Sequence, residues 1–252
     1  MTTALRQTAT LAWRGLRHLR HDPGDLVIRG TQPALVLVLF TFVFGGQMAG
    51  STHDYLQFGL AGILAQAATF ATMATAIALR TDISTGLFDR LRSLPISRLA
   101  PLAGQVVADV VLQLFATVML LVLGVVLGFR FGTGALAVLA ALGLLVCFSI
   151  ALSWVAILIA LLARTAEQVQ IIALSAVMPL TFASGAFARV DSMPGWLRAF
   201  AKVNPVTTLS DAVRGLLAGG PVAAPAAETL AVCAGLTLVV APLAVGAFRR
   251  RI

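Results

Sequence analysis

Long stretches without Asp, Glu, Lys or Arg constrain this chain more than any other feature of its sequence. A helix needs roughly 20 apolar residues to cross the hydrocarbon core of a bilayer, and six stretches reach that length. They cover residues 30–53, 55–79, 110–129, 131–163, 168–188 and 229–248. The fourth begins with turn-like residues and is too short for two crossings, so it is expected to form one long helix. The sequence therefore predicts an all-α integral membrane protein, a single domain over residues 1–252 with six transmembrane helices.

The composition agrees with this class. Hydrophobic residues make up 59% of the chain, charged residues only 11%, and the mean hydropathy is +0.96, which excludes an ordinary soluble domain. The net charge of +8 could suggest a nucleic-acid partner. However, the basic residues lie in short segments between apolar runs and form no continuous patch, so no nucleic-acid partner is expected and membrane lipid is the expected surrounding.

The distribution of Lys and Arg predicts the orientation in the membrane. The arm before the first run holds five, the segment 80–101 four, the segment 163–169 one and the tail three. The alternate loops hold none, one and four. Because cytoplasmic loops carry the excess of basic residues, both termini are expected on the cytoplasmic side. The Ala-, Leu-, Val- and Arg-rich composition suggests a bacterial protein, hence a multi-pass protein of the inner (plasma) membrane.

The segment 80–101, RTDISTGLFDRLRSLPISRLAP, is a charged island between two apolar runs. Its apolar residues recur at helical spacing and leave charges of both signs on the other face, until Pro95 ends the pattern. A short amphipathic helix of this kind is a candidate docking element for a soluble partner. The alternative is an ordinary cytoplasmic loop whose arginines only fix the topology.

The first 29 residues are also amphipathic. Apolar residues from Leu5 to Leu19 share one arc of a helical wheel, and Arg6, Arg14 and Arg17 occupy much of the rest. This pattern predicts a helix over residues 1–29 that lies in the membrane surface, with a merely basic, frayed tail as the alternative. A cleaved secretory signal is disfavoured, because more than thirty residues precede the centre of the first apolar run.

The segment 188–228 is the largest external loop in this topology and is partly apolar. Trp196, Leu197 and Phe200 predict one short helix, and a second is expected to follow with Ser210 as its cap. Each is too short to cross a membrane. A re-entrant helical hairpin in the outer leaflet satisfies these constraints, and a structureless loop is the alternative.

Two separated regions of the chain resemble the ABC-2 type transporter permeases, with the daunorubicin-resistance-type exporters as the nearest branch. The first is TGLFDRLRSLPISR at 85–98, followed by Gly104 and Asp109. The second is the ordered series Ser184-Gly185-x-Phe187, Val190-Asp191-Ser192-x-Pro194-Gly195-Trp196-Leu197, Asn204-Pro205 and Ala212-Val213-Arg214. Together with the six predicted spans, the resemblance extends over nearly the whole chain.

The resemblance implies the permease subunit of an exporter for a drug-like compound or glycolipid. Two such subunits, identical or paired with a related permease, would associate with two separate ATP-hydrolysing subunits. The segment 80–101 would hold the coupling helix that sits in a groove of the ATPase. The expected docking residues are Leu87, Asp89, Arg90, Leu91, Arg92 and Pro95.

The sequence offers no catalytic chemistry of its own. Its single lysine, Lys202, does not stand in a GxxxxGK phosphate loop, so ATP and Mg²⁺ are expected on the partner ATPase and no cofactor is expected on this chain. Cys147 and Cys233 lie in separate apolar runs, and the three histidines do not cluster with carboxylates or thiols, so no metal site is expected. The chain is expected to be a transport subunit and not an enzyme by itself.

Two polar stripes run along the predicted spans. Gln105, Asp109, Gln113 and Thr117 recur every four residues in the third, and Asp109 is a candidate functional residue because a carboxylate in lipid is costly. The alternative is a structural pair between Asp109 and a cytoplasmic arginine such as Arg80.

The second span carries a mildly polar stripe of its own. Its members, Gln66, Thr69, Met73 and Ala76, fall within a narrow arc of the helical wheel. Close helix packing is the alternative to a cargo-facing surface. The predicted substrate path comprises Gln66, Thr69, Met73, Asp109 and Gln113.

Two other functions stay open at the level of sequence. Asp109 could carry protons in a secondary transporter, although only one plausible intramembrane carboxylate and no repeated half are present. A membrane scaffold without a transport role is the third possibility.

Overall fold

The computed structural model describes residues 23–86 and 100–251, and the regular structure in these ranges is helical. The α-helices are α1 (Pro23–Leu39), α2 (Gly45–Ala49), α3 (Thr52–Ser84), α4 (Ala100–Val126), α5 (Ala135–Leu162), α6 (Ala166–Phe182), α7 (Gly195–Val203), α8 (Pro205–Ala218) and α9 (Ala223–Arg251). A π-helical turn, Phe40–Phe44, joins α1 to α2, and a 3₁₀ turn, Val190–Ser192, precedes α7. The prediction of an all-helical protein is confirmed.

Five segments in the described ranges are long and apolar enough to cross a membrane. They are Gly30–Gln47, Thr52–Ser84, Gly104–Val126, Ala135–Leu162 and Ala223–Phe248. The remaining predicted span corresponds to α6, which is apolar but has only 17 residues. At 1.5 Å per residue this helix is about 25 Å long, at the lower limit for crossing the hydrocarbon core.

The bounds of the helices differ from the apolar stretches for physical reasons. The first stretch is not one continuous helix, because Gly50 has φ of 80° and ends α2 before Ser51 begins the next helix. The third stretch begins at residue 110 in the sequence count, whereas α4 already begins at Ala100. A count that stops at Asp109 misses this part, because a helix tolerates a carboxylate that faces other helices.

Helices α3 and α5 form the centre of the bundle. About 61% of the apolar window of each is buried, against 28% for α4 and 11% for α9. α3 packs against α4, α5, α6 and α8, and α9 packs against α5 and α8. The largest fully buried side chains of this core include Tyr55, Leu60, Leu145 and Phe148. α3 is therefore a central helix of the bundle, against which other helices pack.

Local capping chemistry determines where several helices begin. The Ser51 hydroxyl accepts a hydrogen bond from the Asp54 amide at 3.0 Å, and Thr165 does the same for Gln168 at 3.2 Å. At the start of α8, Asn204 Oδ1 accepts from the Val206 amide at 2.9 Å, and Pro205 occupies the first helical position. The expectation that Ser210 caps this helix is wrong: Ser210 is buried inside α8 and donates to the Thr207 carbonyl.

The two short helices predicted within residues 188–228 are present as α7 and α8. Their re-entrant placement in the membrane stays a prediction. Most of the interfacial helix expected over residues 1–29 lies outside the described residues, as does the central part, 87–99, of the segment 80–101.

Candidate functional site

A cavity of about 130 Å³ lies between α1, α3 and α4. It is lined by Gln32, Pro33 and Val36 from α1, by Gln66, Ala67, Phe70, Ala71, Ala74 and Thr75 from α3, and by Asp109, Leu112, Gln113 and Ala116 from α4. Most of this wall is apolar, with a few polar groups that converge on the space. That combination is typical of sites for small molecules.

Three polar groups of the cavity, those of Gln66, Asp109 and Gln113, come from the stripes identified in the sequence. Gln66 is 7% exposed and Gln113 is 5% exposed, so both amides are almost completely removed from the outer surface. Gln113 Nε2 donates to Thr117 Oγ1 at 3.2 Å, and Gln105 Nε2 donates to Asp109 Oδ1 at 3.3 Å. The every-fourth-residue stripe of α4 therefore contains two hydrogen-bonded side-chain pairs, one with Asp109 and one with Gln113, and both of these residues lie at the cavity wall.

The structure brings together three of the five residues of the predicted substrate path. Gln66, Asp109 and Gln113 line the cavity, whereas Thr69 and Met73 are not among its lining residues. Thr69 is buried, and its hydroxyl donates to the Ala65 carbonyl at 2.8 Å within the same helix. The roles of all five in transport stay predictions, and the six expected docking residues fall within 87–99, outside the described part of the chain.

The other lining residues escaped the sequence analysis, among them Gln32, Phe70 and Thr75. Gln32 lies on α1. Phe70 and Thr75 lie on α3, and around the helix axis they are on the other side of Gln66 from Thr69 and Met73. At about 100° per residue, the centre of the lining arc lies more than 100° around the helix from the predicted stripe. The available signal was Gln32, a polar residue beside Pro33 near the start of the first apolar run.

A polar contact joins the last turns of α3 to the connection that precedes α6. Arg80 Nη2 donates to the Arg164 carbonyl at 2.5 Å, and Gln168 Oε1 accepts from the Arg164 amide at 2.9 Å. Arg80 thus ties the start of the segment 80–101 to the connection between α5 and α6.

At the opposite end of the bundle, Arg214 connects three parts of the chain. Its guanidinium donates to the Phe58 carbonyl at 3.1 Å, to the Gly185 carbonyl at 3.2 Å and to the Asp211 carboxylate, and it lies 3.9 Å over the Phe58 ring. Burial raises the pKa of Asp211, although the charge of Arg214 and its hydrogen bond act in the opposite direction. Burial lowers the pKa of Arg214, opposed by Asp211. Arg214 therefore fixes α8 and the segment after α6 onto the end of α3.

Several membrane-length helices define a multi-pass membrane protein. The sequence profile of the family described as ABC-2 type transporter matches residues 6–218. This chain belongs to that family of membrane permeases.

Relatives of this chain carry drug-resistance names. The chain is 36% identical over 249 residues to a daunorubicin resistance ABC transporter permease of Streptomyces coeruleorubidus, covering 99% of this chain and 88% of the relative. It is 32% identical to a probable doxorubicin resistance ABC transporter permease of Mycobacterium tuberculosis, covering 98% and 88%. A putative transport permease of Cyanophora paradoxa is 28% identical over 216 residues, covering 83% and 73%. The family resemblance inferred from the two motif regions is confirmed.

Proposed function

We propose that this chain is the permease subunit of an ATP-driven exporter that moves a hydrophobic or amphipathic compound out of the cytoplasm or the inner leaflet. A separate subunit hydrolyses ATP and docks on the segment 80–101, and two permease copies, or this chain and a paralogue, complete the complex in a bacterial plasma membrane. Membership of the ABC-2 family supports ATP over a proton gradient as the source of energy.

One observation carries the proposal beyond the family: the two helices that flank the segment 80–101 are two of the three walls of the cavity. Thr75 lies nine residues before the end of α3, and Asp109 lies nine residues after the start of α4. At 1.5 Å per residue, both are about 13 Å from the ends that the segment connects. A displacement of the docking segment therefore reaches the cavity through two continuous helices.

The mechanism follows from this arrangement. Closure of the ATPase subunits shifts the segment 80–101, and α3 and α4 move with it relative to α1. The cavity has two states, and ATP binding biases one of them, as in other transitions driven by displacement of packed helices. Arg214 contacts the ring and the carbonyl of Phe58 and so holds the N-terminal part of α3 on α8. The motion of α3 is therefore concentrated at its other end, next to the segment 80–101. No covalent step is needed in this chain.

The docking segment is tested by a triple variant with Asp89→Arg, Leu91→Asp and Arg92→Asp. We expect co-purification with the ATPase and stimulated ATP hydrolysis to fall sharply, because both the apolar contact and the charge pattern are lost. The amount of permease in the membrane should stay at the parent level, since all three positions lie between the apolar stretches of the sequence.

A matched control places equivalent changes on the opposite loop: Asp191→Arg, Lys202→Asp and Val203→Asp. These residues are exposed, so the control should assemble like the parent. Parent-level assembly and ATP hydrolysis in the docking variant would refute docking through the segment 80–101.

A further inference from the structure

Helix α7 has an apolar face, formed by Trp196, Phe200 and Val203, that no described part of the chain covers. Trp196 is 76% exposed, Val203 77% and Phe200 42%, and at about 100° per residue the three side chains fall within an arc of about 60°. Leu197 is half-buried and Ala201 is fully buried, so the side of α7 that packs on the protein lies about 110° around the helix from this face. With nine residues, α7 is about 13 Å long and too short to cross a membrane.

A basic face lies on the third side of α7. Arg198 and Lys202 are one helical turn apart, about 100° beyond the buried side and about 150° from the apolar face. The Arg198 guanidinium reaches back to the turn before α7, where it donates to the Asp191 and Met193 carbonyls at 2.5 and 3.2 Å, whereas Lys202 is exposed. Residues 189–203 hold three basic residues and one acidic residue, so the surroundings of α7 are positively charged.

The C-terminal end of α7 lies beside the last turn of α6. Asn204, which follows α7, donates to the carbonyls of Leu180 and Ala183 at 2.7 and 3.1 Å. Phe182 lies between these two residues in the sequence and is 50% exposed. Exposed apolar surface of α6 therefore adjoins α7 at the end where Val203 is also exposed.

A phospholipid leaflet fits the arrangement of these faces. The apolar and basic faces are separated by about the thickness of one helix, roughly 10 Å. An interfacial helix buries its apolar face about 5–10 Å into the boundary between head groups and acyl chains, with its basic face toward the head groups. Tryptophan is enriched at this depth, and lysine side chains extend from it to the head groups.

We propose that α7 lies in the plane of the leaflet opposite the segment 80–101, the outer leaflet in the predicted topology. Its apolar face lies in the acyl chains, and Lys202 lies among the anionic head-group phosphates. The next helix, α8, is buried or half-buried along its whole length, so α7 alone of the two docks on lipid. Neither docking face of α7 packs on the protein, and changes on these faces are therefore expected to leave the bundle and its assembly with the ATPase intact.

Two adjacent positions test this placement in the full-length permease: Lys202→Cys on the basic face and Val203→Cys on the apolar face. Each is made in a Cys147→Ala, Cys233→Ala background, labelled with a nitroxide and reconstituted in nanodiscs of phosphatidylethanolamine and phosphatidylglycerol. Power saturation measures the collisions of each label with oxygen, which concentrates in acyl chains, and with a water-soluble nickel chelate. Val239→Cys, on the exposed face of α9, is the reference for a label in lipid.

We expect collisions with oxygen to exceed those with nickel at position 203, as at position 239, and the order to reverse at position 202. The logarithm of the oxygen-to-nickel ratio thus changes sign between two adjacent residues, because about 100° of helix separates them. Trp196→Cys replaces Val203→Cys if that variant does not fold, as judged by its unfolding temperature, and should give the sign found at position 239.

An excess of nickel collisions at both positions would place α7 in water, and an excess of oxygen collisions at both would place the whole helix among the acyl chains. Either result would overturn the proposal. Few collisions with either reagent at position 203 would show that protein, such as a second copy of this chain, covers the apolar face, which would overturn it as well. The measurement needs neither ATP nor the ATPase, so its outcome is independent of the test of docking through the segment 80–101.

Discussion

At Gly62 the backbone of α3 lies directly against the segment that follows α6. A Cβ atom at this position would come within 1.9 Å of the Ala186 carbonyl oxygen, so a larger residue forces two backbones apart. The same segment is held by Tyr55, whose hydroxyl donates to the Phe187 carbonyl at 3.3 Å, and by the bond from Arg214 to Gly185. Gly62 is thus the point of closest approach in a junction that closes one end of the bundle.

Gly62→Ala is expected to destabilise the protein, because the clash involves backbone atoms that cannot rotate away. Overpacking of this kind costs about 1–3 kcal/mol. Gly143→Ala on α5 is the matched control, since no atom lies within 4 Å of a Cβ there. The unfolding temperatures of the two variants in the same detergent provide the measurement, and equal values would show that the junction at Gly62 is loose.

Polarity alone was enough to single out three residues that line the cavity, while their role in transport stays a prediction. Gln66, Asp109 and Gln113 stand out as polar residues in apolar runs, and all three line the cavity. The requirement for glycine at position 62 depends on a segment more than 120 residues later in the chain, which no local pattern reveals. The angular position of the cavity on α3 likewise depends on where α1 and α4 pack, and so Thr69 and Met73 of the predicted path do not line it.

Among the helices, the junction between α6 and α8 depends on one buried side chain. Asn204 Nδ2 donates to the carbonyls of Leu180 and Ala183 at 2.7 and 3.1 Å, while its Oδ1 caps the first turn of α8. One amide therefore satisfies backbone groups at the end of one helix and at the start of the other. Asn204 is 2% exposed, so water does not replace these bonds.

Asn204→Asp separates the two roles of this residue. Aspartate caps helices as well as asparagine does, but it lacks the NH₂ group that bonds α6. We expect Asn204→Asp to be destabilised nearly as much as Asn204→Ala, by about 1–3 kcal/mol for buried carbonyls left without donors. Thermal unfolding of both variants is compared with Thr165→Asp, a cap that needs only an acceptor and should tolerate the change. Parent-like stability of Asn204→Asp would mean that capping of α8 is the sole role of Asn204.

The existence of the helices was more predictable than their ends. Hydropathy finds a membrane-length helix because apolar composition persists over about 20 residues, and five of the six stretches yielded helices long enough to cross. The N-cap of a helix is a single residue, and asparagine and serine are both common there. The sequence alone therefore does not choose between Asn204 and Ser210. The structure selects Asn204 because its side chain also has partners on α6, which the local sequence of α8 does not contain.

For the molecule as a whole, the central feature is that the same two helices border both the segment 80–101 and the cavity. α3 and α4 flank the segment 80–101 and also form the walls of the cavity with Gln66 and Asp109. The sequence predicted the segment and the polar residues as separate features. The link between these two features is visible only in the structure, where α1 packs beside α3 and α4. α1 contributes Gln32 and Pro33 to the third wall of the cavity.

Transport into inverted membrane vesicles that contain this permease and its ATPase tests the account most directly. Uptake of a fluorescent amphiphile is measured with and without ATP, with and without a protonophore, and in Gln66→Trp, which fills the cavity. Val239→Trp on the exposed face of α9 is the control for the added bulk.

The account predicts uptake that requires ATP, persists when the proton gradient collapses, and is lost in Gln66→Trp but not in Val239→Trp, with the ATPase still bound in both. Uptake that survives ATP depletion and stops with the protonophore, or that continues at the parent rate in Gln66→Trp, would contradict it.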